Sequence, residues 1–280
     1  MSIMFDVSSC CFLSGHSITL FDSHTAVLDF IDSQTEGSIS WVVQRYIDNP
    51  ILIPAGKRKF DIRIWVLLDA EYNIHVYRRG ALRVASQSYV CTDESGGDSG
   101  VMDLSDIHAH LSNHCIAETH PDYGKYEPTN ELWYDQFEEI LLEMTGGEVS
   151  FARDLMPQIH DIIRHSLLAV KDRLQGSESS GGYNSFNVFG YDFMLSKEWD
   201  SEKGKENIKV WLIEINSSPA VAEDLLEDFV EDLLEVVVDP FYQPDDDDIV
   251  SESKRENVTE TQCKPRLAAS ELFGRGFDTV

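Results

Sequence analysis

The chain of 280 residues carries 50 acidic and 22 basic side chains, which gives a formal net charge of −28 at pH 7. This length suffices for one large domain or two smaller ones, and the acidic balance argues against a nucleic-acid-binding protein. No apolar run approaches the roughly 20 residues that a membrane helix needs, so we expect neither nucleic acid nor membrane as a partner.

The first part of the chain predicts one helix followed by strands. Apolar residues recur at helical spacing over residues 23–34, with Ser23 as a plausible N-cap. Residues 41–47 and 59–68 are apolar enough to predict two strands, the first of them buried, and a third strand is predicted over 73–86. The stretch CTDESGGDSG, residues 91–100, predicts a flexible polar loop.

The second part predicts helices and then a hairpin. Two amphipathic helices are predicted over residues 132–144 and 151–174, followed by a loop at 176–185. Residues 187–196 and 208–216 predict an antiparallel pair of strands, joined by the polar loop KEWDSEKGKEN.

An acidic segment follows the hairpin. Residues 220–236 have apolar positions at helical spacing, which predicts a helix with an all-acidic outer face. The run DDDD at 245–248 begins a segment whose composition predicts disorder. The five cysteines lack CxxC spacing, which indicates a reducing compartment such as the cytosol.

The charge is unevenly distributed along the chain. Residues 57–83, which we call the basic segment, hold seven basic and three acidic side chains, whereas residues 221–250 hold twelve acidic and no basic ones. A basic segment in an acidic chain indicates a local site for an anionic ligand. Solvated surface charge is the alternative for any single cluster.

Two carboxylates are predicted to face each other in the hairpin. Pairing Asp192 with Glu214 would centre its turn at residue 203, inside the polar loop, and would place Asn216 on the same face. Facing carboxylates repel unless they are protonated or bridged by a cation, and oxygen ligands suit Mg²⁺. A magnesium site is therefore one interpretation, and two exposed acids near a strand end are the other.

The basic segment includes a strand with charge on alternate residues. Lys59, Asp61 and Arg63 share one face of KRKFDIRIWVLL, and Arg83 comes from the strand that follows. Basic side chains beside paired acids are what nucleotide phosphates with Mg²⁺ require. An amphipathic edge strand with cross-strand ion pairs is the alternative.

A histidine-rich stretch, HAHLSNHC, raises the question of zinc. His110 and His114 have i,i+4 spacing and Cys115 is adjacent, but no second pair of ligands follows at suitable spacing. Polar contacts from His110, Ser112 and Asn113 to a nucleotide or substrate are therefore preferred to zinc, and plain surface polarity is the interpretation that this stretch alone favours most.

Seven motifs occur in an order typical of one family. They are QRYIDNPILI, KRKFDIRIWVLL, YRRGALRVAS, HLSNHC, YGKYEPTNE, FGYDFML and KVWLIEINSSPA. Over roughly residues 23–225 the chain resembles the tubulin–tyrosine ligase family, and HLSNHC with YGKYEPTNE resembles its tyrosine ligases more than its polyglutamylases or polyglycylases. The resemblance implies an α+β, ATP-grasp-like fold with an antiparallel sheet flanked by helices.

The resemblance also implies a division of the chain. An N-terminal domain and a lysine-bearing, glycine-rich lid loop of the family find no match in the N-terminal residues, so we expect an N-terminally truncated chain. The expected parts are a non-matching segment at 1–22, a partial central subdomain at 23–90, a C-terminal catalytic subdomain at 91–222, an acidic helix with an Asp run at 223–250, and a disordered tail at 251–280.

The family's functional residues can be placed on this sequence. Three positions, Lys59, Arg63 and Arg83, match residues expected to act on the phosphates and on the carboxylate being activated. The expected nucleotide-binding residues are Gln44, Arg45, Tyr46, Ile47, Lys59, Asp61, His110, Ser112 and Asn113. The expected Mg²⁺ ligands are Asp192, Glu214 and Asn216. Arg45 stands where the family usually has lysine, and Ser112 where it has threonine.

The activity that the resemblance implies is an ATP- and Mg²⁺-dependent ligation. The enzyme would join free tyrosine to the C-terminal glutamate of detyrosinated α-tubulin, in the αβ-tubulin dimer, through an acyl phosphate. We expect a monomeric, cytoplasmic protein associated with the microtubule cytoskeleton. A polyglutamylase- or glycylase-type ligase and a catalytically inactive tubulin-binding fragment are the alternatives.

Overall fold

The structure is a computed structural model that describes eight stretches of the chain. They are residues 5–9, 18–34, 40–92, 98–101, 103–174, 185–200, 204–238 and 275–280. The chain divides into two compact units. The first comprises Met1–Arg63, Ala81–Val149 and Tyr191–Glu214, and the second comprises Ile64–Gly80, Ser150–Gly190 and Ile215–Val280.

The first unit begins with a small antiparallel sheet and one helix. Its elements are β1 (Phe5–Ser9), β2 (Thr19–Phe21), α1 (His24–Ser33) and β3 (Trp41–Arg45), with the strand order β2–β1–β3. The Ser23 side chain accepts a hydrogen bond from the Ala26 backbone N–H, which confirms the predicted helix and its N-cap. The prediction of a buried strand at 41–47 is wrong, because Val42 and Val43, on opposite faces of β3, are both exposed.

The larger sheet of the first unit contains five strands. They are β4 (Phe60–Leu68), β6 (Ala81–Val84), β9 (Glu131–Trp133), β10 (Asn187–Asp200) and β11 (Lys205–Asn216), in the order β11–β10–β4–β6–β9. Pairs β4–β6 and β6–β9 are antiparallel. Because β4 lies between β10 and β6, it is not an edge strand, and the alternative is wrong on that point. The cross-strand ion pair that it also predicted is present between Asp61 and Arg83.

The hairpin of β10 and β11 is longer than predicted. Both strands extend into the predicted loop, the first to Asp200 and the second from Lys205, on either side of the predicted centre. Residues 201–203 lie outside the described part of the chain, as does most of the predicted loop at 176–185.

Shorter elements complete the first unit. They are β7 (Val90–Thr92), β8 (Asp98–Val101), α2 (Ile107–His110), α3 (His114–Ala117) and α4 (Tyr134–Met144). Strands β7 and β8 pair with each other, so the prediction of a loop over 91–100 is wrong for these strands, and residues 93–97 lie outside the described chain. Helix α4 confirms a predicted helix, although β9 takes its first two predicted residues.

The second unit contains the rest of β4 together with two more strands and several helices. The strands are β5 (Ile74–Tyr77) and β12 (Phe277–Thr279), and β5 lies antiparallel between β4 and β12. The helical segments are a π-helical turn (Phe151–Leu155), α5 (Met156–Ala169), α6 (Lys171–Leu174) and α7 (Glu223–Val237). Pro157 lies in the first turn of α5, a position where proline favours the start of a helix.

The single strand predicted over residues 73–86 is two strands. The segment Arg78–Gly80 separates β5 from β6. Both pair with β4, but in different registers: Val76 lies opposite Val66, and Val84 lies opposite Phe60. The extra residues between the two registers therefore interrupt the strand.

The acidic helix α7 is anchored by its acids as well as by its apolar residues. Leu225 and Phe229 are buried as predicted, but so is Asp232, whose Oδ2 accepts hydrogen bonds from Tyr77 Oη (3.1 Å) and the Gly276 backbone N–H (3.1 Å). The prediction of an all-acidic outer face is therefore wrong at Asp232, because the sheet and the C-terminal residues supply donors to it.

Residues 275–280 are ordered, which contradicts the predicted disorder for this part of the tail. Phe277 of β12 packs against Tyr77 and Phe229, with ring centroids 5.0 Å and 5.8 Å apart. Residues 239–274, including the DDDD run, lie outside the described chain. Among the described helices, none is both long and apolar enough to cross a membrane.

Candidate active site

Strand register places an acid opposite a base at the start of β4. Asp61 on β4 lies directly across from Arg83 on β6. Arg83 Nε donates to Asp61 Oδ1 at 2.7 Å, and Arg83 Nη2 lies 2.5 Å from the same oxygen. Cross-strand neighbours of opposite charge stabilise a sheet, and here both side chains are withdrawn from solvent, which strengthens the attraction.

A third strand adds a second acid to this pair. Arg63 holds Asp192 of β10 in a bidentate contact, with Nε 2.5 Å from Oδ1 and Nη2 3.0 Å from Oδ2. Arg83 Nη2 also approaches Asp192 Oδ2 at 2.9 Å. Asp61, Arg63, Arg83 and Asp192 thus form one ionic cluster, with the side chain of Asp192 only 5% exposed. Tyr134 donates to the Arg63 carbonyl and fixes this part of β4 to α4.

The two acids of the ionic cluster differ in their protonation equilibria. Burial raises the pKa of Asp192, but the guanidinium groups of Arg83 and Arg63 outweigh it, and the pKa lies below its ordinary value. Burial raises the pKa of Asp61 above its ordinary value, and Asp192 adds to this effect, against the lowering effects of Arg83 and Ser112. Asp192 is therefore the acid that remains a carboxylate over the wider pH range.

A second polar network lies around Lys59, which is also buried. Lys59 Nζ donates to Tyr46 Oη at 3.0 Å, and Tyr46 Oη lies 2.7 Å from His110 Nδ1. The ring of Tyr89 packs edge-on against His110 at 5.4 Å. The same HLSN stretch contacts the ionic cluster, because the Ser112 hydroxyl donates to Asp61 Oδ2.

The structure therefore brings together most of the residues singled out in the sequence. Tyr46, Lys59 and His110 form one network, and Ser112 joins the ionic cluster. Asn113 is the N-cap residue of α3. Of the nucleotide-binding stretch predicted over residues 44–47, Gln44 is half-buried and Arg45 is exposed on β3, while Ile47 follows the strand and is half-buried.

Comparison with known proteins identifies the family of this chain. The family model described as the tubulin-tyrosine ligase family matches residues 9–249. The chain belongs to the tubulin-tyrosine ligase family. The antiparallel strands flanked by helices agree with the ATP-grasp-like class that the resemblance implied.

Several relatives share this part of the chain. Tubulin glycylase 3D of Tetrahymena thermophila is 31% identical over 237 residues, which is 80% of this chain and 20% of that protein. Protein monoglycylase TTLL8 of Mus musculus is 28% identical, over 80% of this chain and 25% of that protein. A probable alpha-tubulin polyglutamylase, Ttll1 of T. thermophila, is 29% identical, over 80% of this chain and 48% of that protein. The chain thus spans between a fifth and a half of these relatives.

The predicted metal ligands lie on β10 and β11. Asp192 is buried in the ionic cluster, Glu214 is exposed, and Asn216 is the last residue of β11 and half-buried. Among the described residues, no group of three or more His, Cys, Asp or Glu side chains is arranged to hold a metal ion. The predicted set contains only two acids and an amide, and it stays a prediction. Its donors are all oxygens and Asp192 favours the ionised form, so these residues fit Mg²⁺.

Part of the basic segment is structural, which the sequence did not reveal. Arg58 is buried, with Nη2 2.7 Å from Glu127 Oε2 and its guanidinium 4.2 Å from the centre of the Tyr126 ring. In the second unit, Arg79 forms an ion pair with Asp228. The count of basic residues therefore overestimated how many of them are available to bind an anion. The acids that neutralise these arginines lie 69 and 149 residues away in the sequence.

Proposed function

We propose that this chain carries the nucleotide site of an ATP- and Mg²⁺-dependent ligase that forms an amide bond between tubulin and an amino acid. The observation that carries the proposal is the ionic cluster, in which Arg63 and Arg83 of neighbouring strands converge on ionised Asp192. Membership of the tubulin-tyrosine ligase family supports it. Surface salt bridges are common, but a buried cluster with two cations and two acids is costly to build and is typical of functional sites.

Each part of the site has a chemical task in this reaction. A carboxylate is a poor electrophile, and ATP with Mg²⁺, when bound, would supply the phosphoryl group that activates it as an acyl phosphate. Lys59, Arg63 and Arg83 would bind the negatively charged oxygens and offset the charge that develops during transfer. Asp192, Glu214 and Asn216 would hold Mg²⁺.

Two further groups of residues would orient the reactants. The stretch from Gln44 to Ile47 would contact the nucleotide base. Ser112 fixes one oxygen of Asp61 while Arg83 contacts the other, so that Arg83 is oriented before substrate arrives. Preorganised charges of this kind need no rearrangement at the moment of reaction.

The amino acid is proposed to be glycine or glutamate rather than tyrosine. The relatives described above are by name two glycylases and a polyglutamylase, so they support the glycylase- or polyglutamylase-type alternative better than tyrosination. Tubulin is the proposed protein partner for the same reason, and the microtubule cytoskeleton the proposed location.

The test is incorporation of labelled amino acids into purified tubulin with ATP and Mg²⁺. Glycine, glutamate and tyrosine are supplied in separate reactions, and Arg83→Met serves as the variant that disrupts the ionic cluster. The proposal predicts incorporation of glycine or glutamate by the parent chain and its loss in the variant. Incorporation of tyrosine alone would contradict the proposed specificity, and absence of both incorporation and Mg·ATP binding would favour the inactive tubulin-binding alternative.

A further inference from the structure

The network around Lys59 has a direction that its hydrogen bonds define. His110 Nε2 lies 3.2 Å from the backbone carbonyl oxygen of Asp103, which can only accept. Nε2 therefore carries a proton. In the neutral ring Nδ1 is then an acceptor, and the Tyr46 hydroxyl, 2.7 Å away, donates to it.

The same hydroxyl has a second partner. Its oxygen accepts from the Lys59 ammonium at 3.0 Å, and Lys59 can only donate. The protons therefore point one way along the chain of groups, from Lys59 to Tyr46, from Tyr46 to His110, and from His110 to the Asp103 carbonyl. The role of Nε2 follows from the Asp103 carbonyl, which can only accept, and the role of Oη toward Lys59 follows from the ammonium, which can only donate. The role of Nδ1 follows from a neutral ring, and Tyr89 also forms a side-chain hydrogen bond with Tyr46.

The surroundings keep this arrangement in place. Lys59 and Tyr46 are both buried, and the ammonium also lies 4.3 Å from the centre of the Tyr46 ring, a cation–π distance. The ring of Tyr89 packs edge-on against His110, and the centre of this ring lies 6.0 Å from the Lys59 ammonium. A lysine has a long, flexible stem, so a fixed acceptor is needed to hold its charge at one point.

We infer that Tyr46 is a positioning residue whose hydroxyl, itself oriented by neutral His110, holds the Lys59 ammonium where the nucleotide phosphates would bind. This inference rests on the proposed function for the identity of the ligand. It gives the phenol of Tyr46 a task separate from contact with the base, and it makes Nδ1 of His110 the hydrogen-bond acceptor for that phenol.

The protonation of His110 can be measured without any activity. In a ¹⁵N spectrum of the intact chain, the imidazole of His110, assigned among nine histidines with His110→Gln, should show a protonated Nε2 and a hydrogen-bonded, unprotonated Nδ1. Tyr46→Phe should shift the Nδ1 signal. Tyr123→Phe is the matched control, because Tyr123 Oη lies 3.5 Å from a different histidine, His114, and should leave the His110 signal unchanged. A protonated Nδ1, or no shift in Tyr46→Phe, would overturn the inference.

A double-mutant cycle then tests whether Tyr46 acts through Lys59. Loss of a hydrogen bond to a charged group should weaken Mg·ATP binding about tenfold or more in Tyr46→Phe. In a Lys59→Met background, Tyr46→Phe should weaken Mg·ATP binding less than about twofold, because the ammonium that Tyr46 would hold is absent. An equal effect in both backgrounds would overturn the inference by showing direct contact with nucleotide. If the parent chain binds no Mg·ATP, the proposed function fails, while the ¹⁵N spectrum still decides the hydrogen-bond network.

Discussion

Replacing Arg83 by methionine should destabilise the fold by leaving a buried carboxylate without its cation. Arg83 makes two contacts to Asp61 and one to Asp192. Asp192 keeps its bidentate contact with Arg63, whereas Asp61 keeps only the Ser112 hydroxyl. The cost therefore falls mainly on Asp61, and methionine fills most of the volume that arginine leaves.

Removing one partner of a buried ion pair costs about 3–5 kcal/mol, against a total stability of about 5–15 kcal/mol for a domain. The additional change Asp61→Asn removes the unpaired charge and keeps an acceptor for Ser112. The double variant should therefore be more stable than Arg83→Met alone, by about 1–3 kcal/mol, the cost of an unsatisfied buried polar group.

The stability lost in Arg83→Met should also depend on pH. The folded-state pKa of Asp61 is raised above its ordinary value of 3.8, and losing Arg83, which lowers this pKa, raises it further. The folded variant then binds a proton more tightly than the unfolded chain, so its stability falls as pH rises above 3.8. The destabilisation should accordingly be greater at pH 7.5 than at pH 5.

Urea unfolding followed by circular dichroism measures these free energies. Arg164→Met is the control, because Arg164 pairs with Asp161 on the surface, and its stability should equal that of the parent chain. The reasoning would be refuted if Arg83→Met were as stable as this control, if the double variant were no more stable than Arg83→Met, or if the loss were independent of pH.

Three changes elsewhere test the packing of individual elements. Phe229→Ala removes a buried ring that contacts Tyr77 and Phe277, and should cost about 3–5 kcal/mol in urea unfolding; a loss below 1 kcal/mol would contradict the packing. Asp232→Ala leaves buried donors unpaired and should lower the melting temperature, whereas the control Glu235→Ala should not. Ser23→Ala removes the N-cap of α1 and should cost about 1 kcal/mol, seen as faster amide exchange confined to that helix.

Local patterns in the sequence predicted the elements that depend on neighbouring residues. The N-cap of α1, strand β4 and helix α7 follow from the Ser23 side chain, from alternating apolar residues, and from Leu225 and Phe229 at helical spacing. These local patterns failed where residues distant in the sequence determine the structure. No pattern near Asp232 indicates that Tyr77 and Gly276 will donate hydrogen bonds to it. No pattern near Phe277 indicates that this residue will pair with strand β5.

The candidate site was predicted in the same uneven way. Alternation placed Asp61 and Arg63 on one face of β4, and both belong to the ionic cluster, whereas Lys59 precedes the strand and contacts Tyr46. It could not predict that Arg63 and Arg83 would both hold Asp192, because these contacts join three strands, and the one between Arg63 and Asp192 spans 129 residues. The direction of the hydrogen bonds at Tyr46 was equally hidden, since it depends on a backbone carbonyl.

Mg·ATP binding by the parent chain and by Glu214→Gln tests the central claim most directly. Glu214 is exposed at the end of β11, so its replacement by the isosteric amide should preserve the fold. Calorimetric titration should show nucleotide binding that Mg²⁺ strengthens in the parent chain, and the variant should lose that Mg²⁺-dependent gain. Equal binding of Mg·ATP by the two proteins, or binding by the parent chain that is indifferent to Mg²⁺, would contradict the account.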